Sequence, residues 1–215
     1  MIFEKLSELK IVPVIVINDA EKAVPLARAL CEGGLPCAEV TFRTAAAADA
    51  IRAISQAFPN MLVGAGTVLT TAQADEAAAA GAKFMVSPGL NPEVVRHCRS
   101  RDLAILPGVC TPTEIEAGLA LGLDTLKFFP AEAVGGVKLL KALCAPYGKV
   151  RFVPTGGVSA VNLRDYLSIK NVIACGGSWM VAEDLIASGD FGKISALTRE
   201  AVELATFSPR EAARA

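Results

Sequence analysis

Among the lysines of this 215-residue chain, Lys127 stands apart because it lies inside an apolar run, Thr125-Leu126-Lys127-Phe128-Phe129-Pro130. Lys10, Lys83, Lys149 and Lys170 each precede a strand-like run and belong at a solvated rim, while Lys138 and Lys141 fall on a helical stretch. A lysine within an apolar strand is costly to bury in its charged form. Two accounts fit it. One is a structural ion pair with an inward carboxylate. The other is an amine that desolvation keeps partly neutral, and so nucleophilic toward a carbonyl carbon.

The carboxylate that can meet it is Glu39, in Ala38-Glu39-Val40-Thr41-Phe42-Arg43. On an extended segment Glu39, Thr41 and Arg43 share one face, and Val40 and Phe42 take the other. The apolar pair is expected to face covering helices. Glu39, Thr41 and Arg43 then point inward, with Arg43 nearest the end of the strand. Glu39 beside Lys127 is either an inert counterion or an acid–base partner for the amine. Arg43 is either a rim salt bridge or a carboxylate binder using two parallel hydrogen bonds.

Small residues cluster where these strands should end. Thr155-Gly156-Gly157 closes one run and Gly176-Gly177-Ser178 another. Glycines let backbone N–H groups approach an anion closely. Gly64-Ala65-Gly66-Thr67 and Ser87-Pro88-Gly89 add further tight corners, with Thr67 offering a hydroxyl.

Eight β-rich runs are expected to position these groups: Ile11–Ile17, Ala38–Phe42, Leu62–Val68, Phe84–Ser87, Ala104–Val109, Thr125–Phe129, Arg151–Pro154 and Val172–Cys175. Several are continuously apolar, as parallel strands covered on both faces are. Between them the spacing predicts helices over Ala20–Gly33, Thr71–Ala80 with Thr71 as cap, Asn91–Arg101, Thr111–Leu121, Ser159–Ser168 with Ser159 as cap, and Phe191–Ala205. Phe3–Leu9 reads as an additional short helix. The repeat of about 20–30 residues is one βα unit. Eight units without a linker favour a single-domain α/β fold, a (β/α)8 TIM barrel over residues 1–205, ahead of an open doubly wound sheet. Residues 206–215 turn polar and are expected to form a loose tail. In such barrels active sites gather at the C-terminal ends of the strands, and the loops after strands seven and eight often bind phosphate.

Composition narrows the partners. The net charge is −1, so no general attraction to nucleic acid or an acidic surface is expected, and anion binding must be local. The six cysteines form no CxxC pair and read as core-filling residues in a reducing compartment. The lone histidine, His97, reads as a solvated helix position and cannot build a multi-histidine zinc site. The opening segment MIFEKLSELK is too charged for a signal peptide, and no apolar run approaches the ~20 residues of a membrane span. A soluble cytoplasmic protein is expected, without membrane or nucleic-acid partners.

Taken together the strings Glu39-Val-Thr-Phe-Arg-Thr44, Gly64-Ala-Gly-Thr-Val68, Ser87-Pro-Gly-Leu90, Leu106-Pro-Gly108, Lys127-Phe-Phe-Pro-Ala-Glu132, Pro154-Thr-Gly-Gly157 and Gly176-Gly-Ser-Trp179 resemble the 2-keto-3-deoxy-6-phosphogluconate (KDPG) aldolase / 4-hydroxy-2-oxoglutarate aldolase family. They appear in the family's order from roughly Leu6 to Ala205. The resemblance implies a class I lyase with no metal and no cofactor. Lys127 would be the Schiff-base residue and Glu39 the proton-transferring group. Arg43, Thr67, Pro88 and Thr155 would contact the rest of the substrate, with Arg43 on its carboxylate. Gly156, Gly157, Gly177 and Ser178 would hold the phosphate. The family is typically a homotrimer of the Entner–Doudoroff pathway. Rival readings are an aldolase for the galactonate-derived epimer, a phosphosugar isomerase or epimerase on the same barrel, and a non-catalytic phosphate-binding barrel.

Overall fold

Short apolar runs that lack alternation become strands covered on both faces. A computed structural model describes residues 2–206. The strands are β1 (Ile11–Ile15), β2 (Cys37–Thr41), β3 (Leu62–Gly66), β4 (Phe84–Ser87), β5 (Ala104–Val109), β6 (Thr125–Phe128), β7 (Arg151–Pro154) and β8 (Cys175–Gly177). They run in the order β7-β6-β5-β4-β3-β2-β1-β8 in one eight-stranded sheet. Parallel bridges from Phe152 to Val172 and from Thr155 to Gly176 join its two ends. The sheet is therefore a barrel, and the open doubly wound alternative is set aside.

The helices are α1 (Ile2–Leu9), α2 (Ala23–Glu32), α3 (Ala47–Ala57), α4 (Thr71–Ala80), α5 (Pro92–Ser100), α6 (Pro112–Ala120), α7 (Gly136–Cys144), α8 (Leu163–Leu167), α9 (Glu183–Ser188) and α10 (Phe191–Thr206). Capping chemistry sets several starts. Asn91 accepts from the Glu93 amide, and Thr111 forms a reciprocal capping box with Glu114. Two expected caps are corrected. Thr70, not Thr71, accepts from the Gln73 amide at the start of α4. Ser159 does not cap α8; its own N–H donates to Asn162 Oδ1, and the helix begins four residues later. Helices α3 and α9 were absent from the expected set. Neither has a side-chain cap, so the signal marking a start is missing. Of the expected tail, Thr206 ends α10 and the remainder lies outside the described residues.

Register decides which side chains face the axis. Residues paired across parallel strands point the same way, and one line of partners runs Val14, Glu39, Gly64, Phe84, Ala104. A second joins Gly108, Lys127 and Val153. On β6 the outward face is identified by Leu126, whose methyls lie against Gly118 of α6. Lys127 therefore points inward, and Leu126 and Phe128 pack under the helices.

The lower end of the barrel is stopped. The Phe84 ring covers Gly64, where a Cβ would lie 2.3 Å from the ring. Leu6 of α1 is fully buried. Arg151, at the start of β7, bonds Asp124 at 3.1 Å and Glu4 of α1 at 3.4 Å, which ties the N-terminal helix to the strand starts. Among the described residues no helix is long and apolar enough to cross a membrane.

The Thr125 hydroxyl, 2.7 Å away, and then the Arg151 guanidinium hold the Asp124 carboxyl below the usual carboxylate range. A carboxyl lowered by folding stabilises the fold above its unfolded value, and that contribution disappears as pH falls through the lowered value. Asp124→Asn is therefore expected to lower Tm at neutral pH, with the difference closing in strong acid. Thermal melting across pH tests this, and an offset that does not change with pH would contradict it.

Candidate active site

Lys127 comes from β6 and Glu39 from β2, and the two side chains meet at the barrel axis. Nζ lies 3.5 Å from Glu39 Oε1. Lys127 is 5% and Glu39 3% exposed, so the pair is nearly dry. Their proximity depends on neighbours without side chains. A Cβ on Gly66 would fall 2.4 Å from Glu39 Oε1, and one on Gly108, which pairs with Lys127, would fall 2.0 Å from the Pro88 carbonyl oxygen. Gly108 thus lets the Pro88 loop lean over β5 beside the amine. Ser87 holds that loop by donating its hydroxyl to the Gly89 carbonyl at 2.7 Å.

Above the amine sits a group that residue-by-residue reading passed over. The Phe129 ring centroid is 5.0 Å from Nζ, within cation–π range. Phe129 follows Lys127 by two positions, so strand parity alone would have placed it on the same face. Its ring also approaches Gly156, where a Cβ would lie 3.3 Å away.

The other expected residues fall at or just beyond the strand ends. Thr155 is buried, and its Oγ1 occupies the space over Gly176 that a Cβ would fill. Thr67 follows β3 in the left-handed region, φ 57°, which is uncommon for threonine. Pro88 is half-buried. Thr41 faces inward but donates to the Ile15 carbonyl at 2.8 Å, a contact that ties β2 to β1.

Arg43 differs from expectation in its setting. β2 ends at Thr41, and Arg43 is exposed in the following turn rather than on the strand. That turn is pinned by Thr44, which donates to the Ile17 carbonyl at 2.6 Å. Arg43 forms no ion pair among the described residues, so it is not a rim salt bridge. It lines a cleft of about 420 Å³ with Val14, Val16, Ser178, Trp179 and Glu183.

Gly156 and Gly157 follow β7 with φ +96° and +82°, a backbone path open to glycine. The carbonyls here are engaged. Thr155 accepts from Ala131 N–H at 2.8 Å, Gly156 from Glu132 N–H at 3.0 Å, and Gly157 from Asn162 Nδ2 at 3.1 Å. The Gly157 N–H donates to nothing among the described residues, while the Gly156 N–H faces the Gly176 carbonyl in the bridge between Thr155 and Gly176. The strand expected at Val172–Cys175 is shifted to Cys175–Gly177, so Gly176 and Gly177 lie in β8 rather than after it. They are needed for clearance, Gly176 beneath Thr155 and Gly177 beneath the Trp179 ring. Ser178 follows, exposed, in the cleft with Arg43.

Two bystanders are also placed. His97 is not simply solvated; its Nε2 lies 2.8 Å from Asp75 Oδ1, linking α5 to α4. Burial, and then the Glu39 carboxylate, push the Cys37 thiol far above its ordinary range, so this neighbour is an inert filler. Among the described residues no three His, Cys, Asp or Glu side chains gather at metal-ligand spacing.

Known proteins of similar sequence and fold identify the family. The sequence model of the KDPG and KHG aldolase family matches residues 2–197. The 2-dehydro-3-deoxy-phosphogluconate aldolase of Treponema pallidum is 52% identical over 203 residues, covering 94% of this chain and 97% of that protein. The KHG/KDPG aldolase of Escherichia coli K12 is 49% identical, covering 90% and 91% respectively. A crystal structure of KDPG aldolase from Legionella pneumophila, with pyruvate captured at low pH as a covalent carbinolamine, superposes with TM-score 0.90 at 39% identity, covering 93% of this chain and 97% of that one. Half-identity over nine-tenths of the length, on a shared barrel, leaves one conclusion: the chain belongs to the KDPG and KHG aldolase family.

Proposed function

We propose that the protein cleaves KDPG to pyruvate and glyceraldehyde 3-phosphate, and 4-hydroxy-2-oxoglutarate (KHG) to pyruvate and glyoxylate, through a Schiff base on Lys127. The observation behind this is the dry Lys127–Glu39 pair on the barrel axis, with the amine 3.5 Å from the carboxylate. Transfer of the ammonium proton to Glu39 leaves a neutral amine with a free electron pair. Nζ attacks the C2 ketone to give a carbinolamine, the kind of intermediate captured in the Legionella enzyme. Glu39 returns its proton as water departs, and an iminium forms. The carboxylate then takes the C4 hydroxyl proton. The C3–C4 bond breaks, its electrons move into the enamine, and the aldehyde is released. Protonation at C3 by Glu39 and hydrolysis give pyruvate and the free amine. The iminium is the electron sink, and the Phe129 ring face above Nζ favours its positive charge.

The remaining groups suit the rest of the substrate. Arg43, cationic and unpaired at the mouth, binds the carboxylate bidentately. Thr67, Pro88 and Thr155 surround the reacting carbons. The backbone of Gly156 and Gly157, with the free Gly157 amide, Gly177 and the Ser178 hydroxyl, receives the phosphate. An isomerase or inert phosphate binder would need no covalent lysine, so reductive trapping separates them from the aldolase. The protein is further proposed to work in the cytoplasm in the Entner–Doudoroff pathway, as a homotrimer. Sedimentation equilibrium tests the last point, and a mass of one or two chains would reject it.

Borohydride added with pyruvate is expected to fix one pyruvyl adduct on the Lys127 peptide, read by mass spectrometry, and Lys127→Ala should abolish it. Full pyruvate release by that variant would remove the mechanism. Gly66→Ala should displace the Glu39 carboxylate, the far end of a flexible side chain. Its kcat is expected to fall about 10²-fold, as for loss of an acid–base group, with Tm within a few degrees of the parent. Glu39→Gln should match it in turnover. Unchanged kcat in either variant would assign proton transfer elsewhere.

A further inference from the structure

We propose that Tyr166 and Glu132 form a positioning brace that keeps the Gly157 amide free, and so sets the preference for the phosphorylated substrate over the shorter unphosphorylated one. This rests on the proposed phosphate role of the Gly156–Gly157 loop.

Glu132 lies in the segment after β6, five residues beyond Lys127. Its N–H donates to the Gly156 carbonyl at 3.0 Å. The stem of its side chain underlies Gly157, where a Cβ would meet Glu132 Cβ and Cγ at 2.6 Å. Backbone and side chain of this residue therefore support the glycine pair from below. The carboxylate turns away from the loop and accepts a hydrogen bond from the Tyr166 hydroxyl. Tyr166 comes from α8, the helix after the loop, and is fully buried. Gly136, with φ +58°, makes room for the same contact, since a Cβ there would lie 2.9 Å from Glu132 Oε1 and 3.4 Å from the Tyr166 oxygen. Glu132 has no cationic partner among the described residues, so the phenol is what fixes its direction.

The chemistry gives that direction a purpose. A carboxylate is an anion with the same appetite for free N–H groups as a phosphate. Released from Tyr166, Glu132 sits beside the unpaired Gly157 amide and competes with the phosphate for it. Held by Tyr166, it leaves that amide open. KHG ends in a carboxylate at C5, too short to reach that amide with its C2 on Lys127, and is indifferent to the brace.

KDPG, with a phosphate on C6, and KHG, which ends in a carboxylate at C5, form the test. Tyr166→Phe removes one oxygen and keeps the buried ring. It is expected to raise KM for KDPG about tenfold, to change kcat/KM for KHG less than about twofold, and to weaken calorimetric binding of inorganic phosphate in parallel. Adding Glu132→Gln to Tyr166→Phe should restore KM for KDPG, because a neutral amide does not replace a phosphate anion. Equal losses on both substrates would reduce Tyr166 to a structural residue and overturn the brace, as would no loss on either. A parent protein that binds no phosphate and shows no preference for KDPG would remove the loop's role itself, and the brace with it.

Discussion

One ammonium–carboxylate contact held out of water is the constraint around which this barrel is arranged. Burying either partner alone would leave an uncompensated charge, which costs several kcal/mol. Glu39 and Lys127 must therefore arrive together, and they come from β2 and β6, four strands apart in a ring of eight. In an open sheet those strands would stand about 19 Å apart at ordinary strand spacing. Only closure brings them face to face across the axis. The bridges that close the ring, Phe152 to Val172 and Thr155 to Gly176, are thus as necessary to the contact as the two residues themselves.

Closure creates crowding, and glycine relieves it at chosen points. Gly66 admits the Glu39 carboxylate, Gly108 admits the Pro88 backbone, Gly64 admits the Phe84 ring and Gly176 admits Thr155. Each is a place where one strand gives up a side chain so that a neighbour can reach inward. Gly64 is the register partner of Glu39 and Gly108 that of Lys127, so absent side chains flank the reacting pair beside both of its strands.

Much of this was legible beforehand, for reasons that can be named. Lys127 and Glu39 announce themselves because a charge in an apolar strand has few cheap explanations, and strand parity then gives their direction. The eight-unit alternation gives the barrel. Errors cluster where local signals compete. Gly176 and Gly177 look like a turn, yet they are strand residues whose missing side chains serve neighbours. Helix α3 buries Ala50, Ile51 and Ile54 at helical spacing but lacks a capping residue to mark its start. Arg43 was read as a strand residue, yet the strand has already ended and it stands exposed in the turn, lining the cleft beside Ser178. Phe129 was within reach of strand parity, two residues from Lys127, whereas the Tyr166–Glu132 contact depends on side-chain packing across elements distant in sequence, which no single segment reveals.

The stopped lower end has its own consequence. With the Phe84 ring on Gly64 and Leu6 of α1 buried by the strand starts, side chains fill the axis from below, and the way to the reacting pair runs from the strand ends. Traffic along it must be sequential: whatever lies deepest entered first and leaves last. A molecule split along that way has to vacate its outer fragment before solvent can descend to the inner one. The order of departure is written into the plumbing of the barrel, independently of how tightly either fragment is held.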